Sequence, residues 1–376
     1  MAKNTQIDEG LMLSRFKVGE VLLPPLVVRT CLILGGPREK ADARVELAMP
    51  DGLDVFRFVV EAKARATPQA IQLAVAQVRA AREDGEWPMI QVPYLSPERI
   101  LELEKEGVSG VDLCGNGVVV VPGRLCVVRV GQPNRYRDSR PLSNPYRGRS
   151  AMVARMLLKR PRWPTLSELA AAIAAAGGEL SLPQVSKAVQ AMVEDLIVSK
   201  ESGSITLRDP LRLLDKLGSE WRKPRQTWKS GDVAGRPVKS QFPSPLHSRR
   251  GLRLPKGMDW ARALSLAPSL QWAVTGASSA TRYATFSQGG PRQIAVSNLG
   301  LALSQLGGTP EPVPNFSDVE LMETEDPGLF FGTETDENGV RWAGKLQAWL
   351  ELQAGDARQQ DTAKDLRDQI LKEVRE

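Results

Sequence analysis

The chain has 376 residues, of which 42% are hydrophobic and 25% are charged, and its formal net charge is +6. This length predicts two or three domains. The N-terminus is polar, and no apolar run in the sequence approaches the roughly 20 residues that a membrane span requires. Both features predict a cytoplasmic protein with no membrane partner. The single histidine, His247, and three cysteines without metal-ligand spacing argue against histidine-based hydrolysis, histidine-ligated zinc and a disulfide framework.

Residues 1–135 alternate between strand and helix signals, which predicts an α/β sandwich built on a mixed sheet. The predicted elements are a short helix or turn over 10–20, strands over 26–34, 42–49 and 55–63, a helix from Thr67-Pro68 to near Gly85, a strand over 88–95, a helix from Ser96-Pro97, and two strands within 110–130.

The third predicted strand ends in Glu61-Ala62-Lys63, and Asp42 opens the strand before it. Because strand side chains alternate between faces, Glu61 and Lys63 share one face of the sheet. Carboxylates from adjacent strands can bind one Mg²⁺, and a lysine there can activate water or stabilise the charge of a phosphorane. We therefore predict a catalytic site of Asp42, Glu61 and Lys63, with Asp42 and Glu61 as metal ligands. A solvated ion pair at a strand end is the alternative.

This constellation resembles the motif of the PD-(D/E)xK restriction-endonuclease-like superfamily. The resemblance implies a nuclease-like domain over 1–135, with Mg²⁺ as the cofactor if the site is active. It also implies a polar residue on the helix after the lysine, for which Gln77 is the candidate, and an acid near the first helix, Glu20 or Glu9. Asp54 is a rival for the metal-binding acid, although it precedes the strand that carries Glu61.

Residues 144–221 contain three helix signals and a pair of short strands. One helix spans 144–159, Thr165 and Glu168 form a capping box for the second, the third begins at Ser181, and two strands flank Gly203 before a helix over 209–221. Such an order is typical of a winged helix-turn-helix, whose third helix enters the major groove of double-stranded DNA. The candidate DNA-binding residues are Ser181, Gln184, Ser186, Lys187, Gln190, Lys200, Arg147 and Arg149. A protein-contact module is the alternative.

The charge of the chain is unevenly distributed. Residues 129–164 hold about 10 basic residues against Asp138 alone, and residues 222–258 hold about 10 against Asp232 alone. The second segment is rich in Pro, Gly and Ser, which predicts a long basic linker over 222–258. Residues 310–376 hold about 16 acids and about 7 bases. The basic segments favour a polyanionic partner such as DNA.

Residues 259–376 predict a C-terminal α+β domain, with two helical pieces over 261–284, a strand and helix over 292–303, and two final helices. Together with the preceding domains, its segments TGASSATRYA, VELMETEDPGLFF and LQAWLELQ resemble the AbiEi-type family of transcriptional regulators, the antitoxins of type IV toxin–antitoxin systems. The resemblance implies an antitoxin-like repressor with a nucleotidyltransferase-like C-terminal domain and a partner toxin. The N-terminal sheet would then be a scaffold, or the contact of a homodimer. A Mg²⁺-dependent DNA endonuclease guided by the winged helix is the alternative function.

Overall fold

The structure is a computed structural model that describes residues 9–34, 40–136, 144–221, 249–252, 254–285, 290–307 and 317–375. It has a mixed α/β fold, as the sequence predicts in general terms. The chain forms two compact units, one of residues 1–141 with 194–196, the other of residues 142–193 and 197–376. Within the described ranges, no helix has both the length and the apolar character needed to cross a membrane.

The first unit is built on an eight-stranded mixed sheet in which spatial order follows chain order, from β1 to β8. Its elements are α1 (Glu9–Leu13), β1 (Val21–Leu23), β2 (Leu26–Ile33), β3 (Ala43–Ala48), β4 (Val55–Ala62), α2 (Pro68–Ala81), β5 (Glu86–Val92), α3 (Pro97–Lys105), β6 (Ser109–Asp112), β7 (Gly117–Val121) and β8 (Leu125–Arg129). The pairs β4–β5 and β5–β6 are parallel and the other pairs are antiparallel.

Both helices that cross between parallel strands begin at the predicted caps. The Thr67 hydroxyl accepts a hydrogen bond from the Ala70 amide at 3.3 Å, and the Ser96 hydroxyl accepts one from the Arg99 amide at 3.4 Å. In each case the hydroxyl satisfies an amide of the first helical turn that has no partner within the helix. The two caps therefore fix where α2 and α3 start.

The sheet separates two hydrophobic cores. One face packs against α2 and α3 through residues such as Val59, Ile71 and Ile100, and the other face packs against α1 through residues such as Met12 and Phe58. Alternation along β4 assigns its odd-numbered positions to the face of α2.

The region 110–130 holds three strands where the sequence predicts two. The additional strand, β6, is only four residues long and fully buried, so it lacks an alternating pattern. It packs closely against α3, because a Cβ atom at Gly110 would lie 2.5 Å from Leu103 Cδ1. A larger residue at this position would therefore require the Leu103 side chain to move.

The second unit begins with helices around a small sheet of strand order β10-β11-β9. Its elements here are a 3-10 turn (Gly148–Ser150), α4 (Ala151–Lys159), β9 (Arg162–Trp163), α5 (Leu166–Ala175), α6 (Leu182–Glu194), β10 (Val198–Glu201), β11 (Ser204–Leu207) and α7 (Pro210–Glu220). The Thr165 hydroxyl accepts from the Glu168 amide at 3.1 Å, which confirms the predicted cap of α5.

The unit continues with a six-stranded sheet of order β12-β15-β14-β13-β17-β16. Its elements are β12 (Arg249–Leu252), α8 (Trp260–Ser265), β13 (Trp272–Val274), α9 (Gly276–Ala280), β14 (Arg292–Val296), α10 (Leu299–Leu306), β15 (Val319–Glu323), α11 (Pro327–Phe330), β16 (Glu334–Thr335), β17 (Arg341–Trp342), α12 (Lys345–Gln353) and α13 (Ala357–Arg375).

Two details differ from the predicted C-terminal region. A buried strand, β13, lies between the two helical pieces predicted over 261–284, and it was missed because three apolar residues carry no periodicity. The end of the predicted linker forms β12, which pairs with β15 at the edge of the sheet. Residues 222–248 of that linker, with His247, lie outside the described residues.

One hydrophobic core joins the helices before residue 221 to the last two helices of the chain. Leu157 of α4 and Leu213 of α7 belong to the same buried cluster as Trp349 of α12 and Leu366 of α13. The division of the sequence into three domains and a linker remains a prediction, but α4 and α7 are packed directly into this C-terminal core.

Candidate functional sites

The predicted catalytic residues lie at one end of the β3–β4 pair. Ala43 pairs with Val60, and the Asp42 amide donates to the Val60 carbonyl at 3.0 Å, so Asp42 lies opposite Glu61. Opposed residues on antiparallel strands point to one face with their Cβ atoms about 4.5–5.5 Å apart. Since Val59 packs beneath α2, Glu61 belongs to the same face as α2.

The side chains of Asp42, Glu61 and Lys63 form hydrogen bonds with neighbouring residues at the same end of the β3–β4 pair. Asp42 Oδ2 accepts from the Ala62 amide at 2.7 Å, and Lys63 Nζ donates to Glu61 Oε1 at 2.5 Å. The Glu61 side chain is 6% exposed and that of Lys63 is 24% exposed, so this ion pair is sheltered but reachable from solvent. Among the described residues, no three acidic, histidine or cysteine side chains group together as a metal site.

The other residues suggested for this site lie on different elements of the first unit. Gln77 lies on α2 with a buried Oε1 that has no hydrogen-bond partner in the described part of the chain. Glu20 follows α1 and pairs with Lys17 at 3.7 Å, while Glu9 begins α1, on the opposite face of the sheet from Glu61. Asp54 precedes β4, about 23 Å from the Glu61 end by strand rise, which excludes it as a joint metal ligand.

Helix α6 has one buried face and one exposed polar face. Its buried positions are Val185, Ala188, Val189 and Met192. Lys187 and Gln190 are exposed and project from the opposite side by helical geometry, and Ser186 is half-buried at its flank. The predicted third helix therefore presents the polar side chains that were selected from its sequence.

Two of the selected residues serve the start of α6. Gln184 Oε1 accepts hydrogen bonds from the Ser181 amide at 2.8 Å and from the Ser181 hydroxyl at 3.0 Å. This is the reciprocal half of a capping box, in which the third helical residue reaches back to the cap. Both side chains remain exposed. The amide nitrogen of Gln184 is the group left to contact a ligand.

The β10–β11 ribbon is closed by a tight turn. Glu201 pairs with Ser204, and Ser202 and Gly203 between them have φ of 50° and 88°. Positive φ at both central residues suits the twist of a two-residue hairpin. Arg208 donates a hydrogen bond to Glu201 Oε1 at 2.8 Å, next to the turn. Lys200, which is also close to the turn, is exposed.

Further cations lie before α4. Arg147 and Arg149 are both exposed, and Arg149 is 3.8 Å from the Glu179 carboxylate in an open ion pair. Exposed pairs of this kind contribute little to stability, so both arginines remain open to an external anion.

The second unit contains a buried polar network whose residues are not among the predicted site residues. Arg155 of α4 donates to Gln347 Oε1 at 2.8 Å, and Gln347 Nε2 donates to Glu351 Oε1 at 2.7 Å. Glu351 also accepts from the Thr275 hydroxyl at 2.7 Å and from the Gly276 amide. A neutral amide thus links a buried cation to an anion in the C-terminal helix α12.

Desolvation affects both charged ends of this network. Burial lowers the pKa of Arg155, against the opposing charges of Asp326 and Glu351. Burial also raises the pKa of Glu351, although bonds from Gln347, Thr275 and the Gly276 amide counteract it. Both shifts favour the neutral forms, as expected for charges withdrawn from water.

A sequence signal for Arg155 does exist. Residues 151–158, AMVARMLL, are apolar all round the helix except at this position, and every one of them is buried. An arginine in such a segment has no solvent-facing side to occupy. Its partners Gln347 and Glu351 lie almost 200 residues later, so local patterns give no indication of them.

Comparisons with protein-family models, characterised proteins and solved structures found no match to this chain.

Proposed function

We propose that this chain is a DNA-binding transcriptional regulator that uses a winged helix-turn-helix. Helix α6 would lie in the major groove, with the β10–β11 ribbon and the arginines before α4 on the phosphate backbone. The observation that carries the proposal is the exposed polar face of α6, where Lys187 and Gln190 lie opposite the buried positions of the helix. An antitoxin-like repressor with a partner toxin is the specific form that the sequence resemblance supports.

The order of the surrounding elements supports this function. Helices α4, α5 and α6 share a core, strand β9 lies between α4 and α5, and the ribbon follows α6 and pairs with β9. A wing held at a fixed place beside the third helix allows both elements to contact one duplex.

Selection from a library of random-sequence duplexes tests the proposal directly. We expect the full chain to enrich a defined sequence, and the double variant Lys187→Ala/Gln190→Ala to lose about 1–3 kcal/mol of binding free energy per lost base contact. Lys364→Ala, which removes an exposed cation from α13, is the matched control and should retain full affinity. No enriched sequence, or an unaffected double variant, contradicts the proposal.

A Mg²⁺-dependent DNA endonuclease is the second candidate, and the opposition of Asp42 and Glu61 beside Lys63 favours it. Two carboxylates with a substrate phosphate suit Mg²⁺, which keeps several water ligands and needs few protein ligands. Asp42 and Glu61 would hold the ion, and it would supply charge stabilisation at the phosphate.

Cleavage assays in Mg²⁺ and in chelator distinguish the two candidates. A nuclease would nick duplex DNA in Mg²⁺ only, and Glu61→Ala or Lys63→Ala would abolish nicking while DNA affinity persists. Asp54→Asn, at the far end of β4, is the control acid and should leave any cleavage unchanged. Tight binding without cleavage under all conditions rejects the nuclease.

A further inference from the structure

A cavity of about 350 Å³ opens beside Arg155 in the second unit. Its walls come from α4, α12 and α13 and from the chain near Tyr283 and Phe331. Small-molecule sites in proteins commonly have volumes from about 300 Å³ upward. The cavity is therefore large enough for a compact organic ligand.

The buried cation in this wall is only partly satisfied. Arg155 is 9% exposed, and its two Nη atoms donate to neutral acceptors, the Gly328 carbonyl at 2.7 Å and Gln347 Oε1 at 2.8 Å. Its Nε is buried without a hydrogen-bond partner among the described residues. The carboxylates of Asp326 and Glu351 act on it through charge alone.

The acids that line the cavity already have cationic partners. Glu334 lies 3.7 Å from Arg282, and Glu373 is paired with Lys345. Lys159, which is exposed, also lines the cavity. Among the described residues that line the cavity, the cations Arg155, Lys159 and Lys345 therefore outnumber the acids Glu334 and Glu373 by one.

The remaining walls are mostly apolar. They are formed by Met156, Leu158, Phe331, Leu346 and Ile370. The Tyr283 hydroxyl donates to the Ala343 carbonyl at 2.9 Å, and burial raises the pKa of Tyr283 to about 12, so this side chain stays neutral. Such a lining accepts a hydrocarbon body and offers charge compensation to one anionic group.

We propose that this cavity binds a small monocarboxylate with an apolar body, whose carboxylate pairs with Arg155 and Lys159. The anion compensates the buried guanidinium, and the hydrocarbon covers the apolar wall. The proposal does not depend on DNA binding, and its test requires no DNA.

Calorimetric titration of the full chain with octanoate, octanamide and octylammonium tests the charge requirement. These probes share one hydrocarbon body and differ in charge. We expect octanoate to bind with one-to-one stoichiometry, octanamide to bind at least about tenfold more weakly, and octylammonium not to bind. Equal affinity for octanoate and octanamide, or no binding of octanoate, overturns the proposal.

Two variants locate the ligand. Arg155→Gln removes the cation but can also disturb folding, so Leu346→Trp is used to fill the cavity from a half-buried position with Arg155 intact. Once circular dichroism has verified that the variant is folded, we expect at least about a tenfold loss of octanoate affinity in Leu346→Trp. Lys364→Gln on α13 is the matched surface control. Unchanged octanoate binding by Leu346→Trp places the ligand elsewhere and rejects the site.

Discussion

Two acid–base arrangements in this protein differ in how the opposite charges meet. Lys63 and Glu61 touch directly at 2.5 Å at the end of a strand, and Lys63 keeps a quarter of its side chain in solvent. Arg155 and Glu351 are held apart by Gln347 within a core. The first arrangement can open to bind a ligand, because its lysine can move into water. In the second, removal of Arg155 would leave the buried Gln347 Oε1 without its hydrogen-bond donor.

The largest effect that would test this contrast is expected at Arg155. Arg155→Leu removes the side-chain donors to the Gly328 carbonyl and Gln347 Oε1, and it removes a positive charge that acts on Glu351. We expect a loss of about 3 kcal/mol in the free energy of unfolding, measured by urea denaturation. Arg358→Leu, at an exposed position of α13, should change it by less than about 0.5 kcal/mol. Equal losses would show that the network has no special role.

Substitutions in the Lys63–Glu61 pair should lower the free energy of unfolding by less than Arg155→Leu does, and the two partners should differ in their effect. Lys63→Met removes a cation that pairs with the sheltered Glu61 carboxylate and should cost about 2 kcal/mol, whereas Glu61→Gln leaves a lysine that can reach water and should cost less. If Asp42 and Glu61 bind Mg²⁺, the ion should raise the melting temperature of Lys63→Met more than that of the native chain, and should not do so for Glu61→Gln. A thermal scan with and without Mg²⁺ measures both effects, and identical responses would argue against a metal site.

The network should also make stability depend on pH. Because the folded-state pKa of Glu351 is raised above its ordinary value of 4.5, the folded state binds the proton more tightly than the unfolded chain does. This contribution is fully present below pH 4.5 and is lost as the pH rises through the folded-state pKa. The stability difference between Glu351→Gln and the native chain should therefore shift in favour of the variant as the pH rises to neutrality. Urea denaturation of both proteins at a series of pH values measures this difference. A difference in unfolding free energy that stays constant with pH would contradict the prediction.

The same contrast explains which features the sequence could predict. The position of Asp42 opposite Glu61 follows from strand alternation and neighbour pairing, which are local rules, and the caps at Thr67, Ser96 and Thr165 follow equally local chemistry. The contact of Arg155 with Gln347 depends instead on how α4 packs against α12, which no short pattern encodes. Strands β6 and β13 were missed for a related reason, since short, fully buried strands lack an alternating signal.

The smallest effect concerns the start of α6, where a structural and a DNA-binding role of Gln184 can be separated. Its Oε1 accepts from the Ser181 amide, so Gln184→Ala should lower the free energy of unfolding by about 0.5–1 kcal/mol. Gln184→Glu keeps the acceptor and should preserve stability, but it adds a negative charge, which a DNA phosphate backbone would repel. If α6 enters the major groove, Gln184→Glu should therefore weaken DNA binding more than Gln184→Ala does, although it is the more stable variant. The opposite ranking of affinities would mean that Gln184 acts through the helix cap alone.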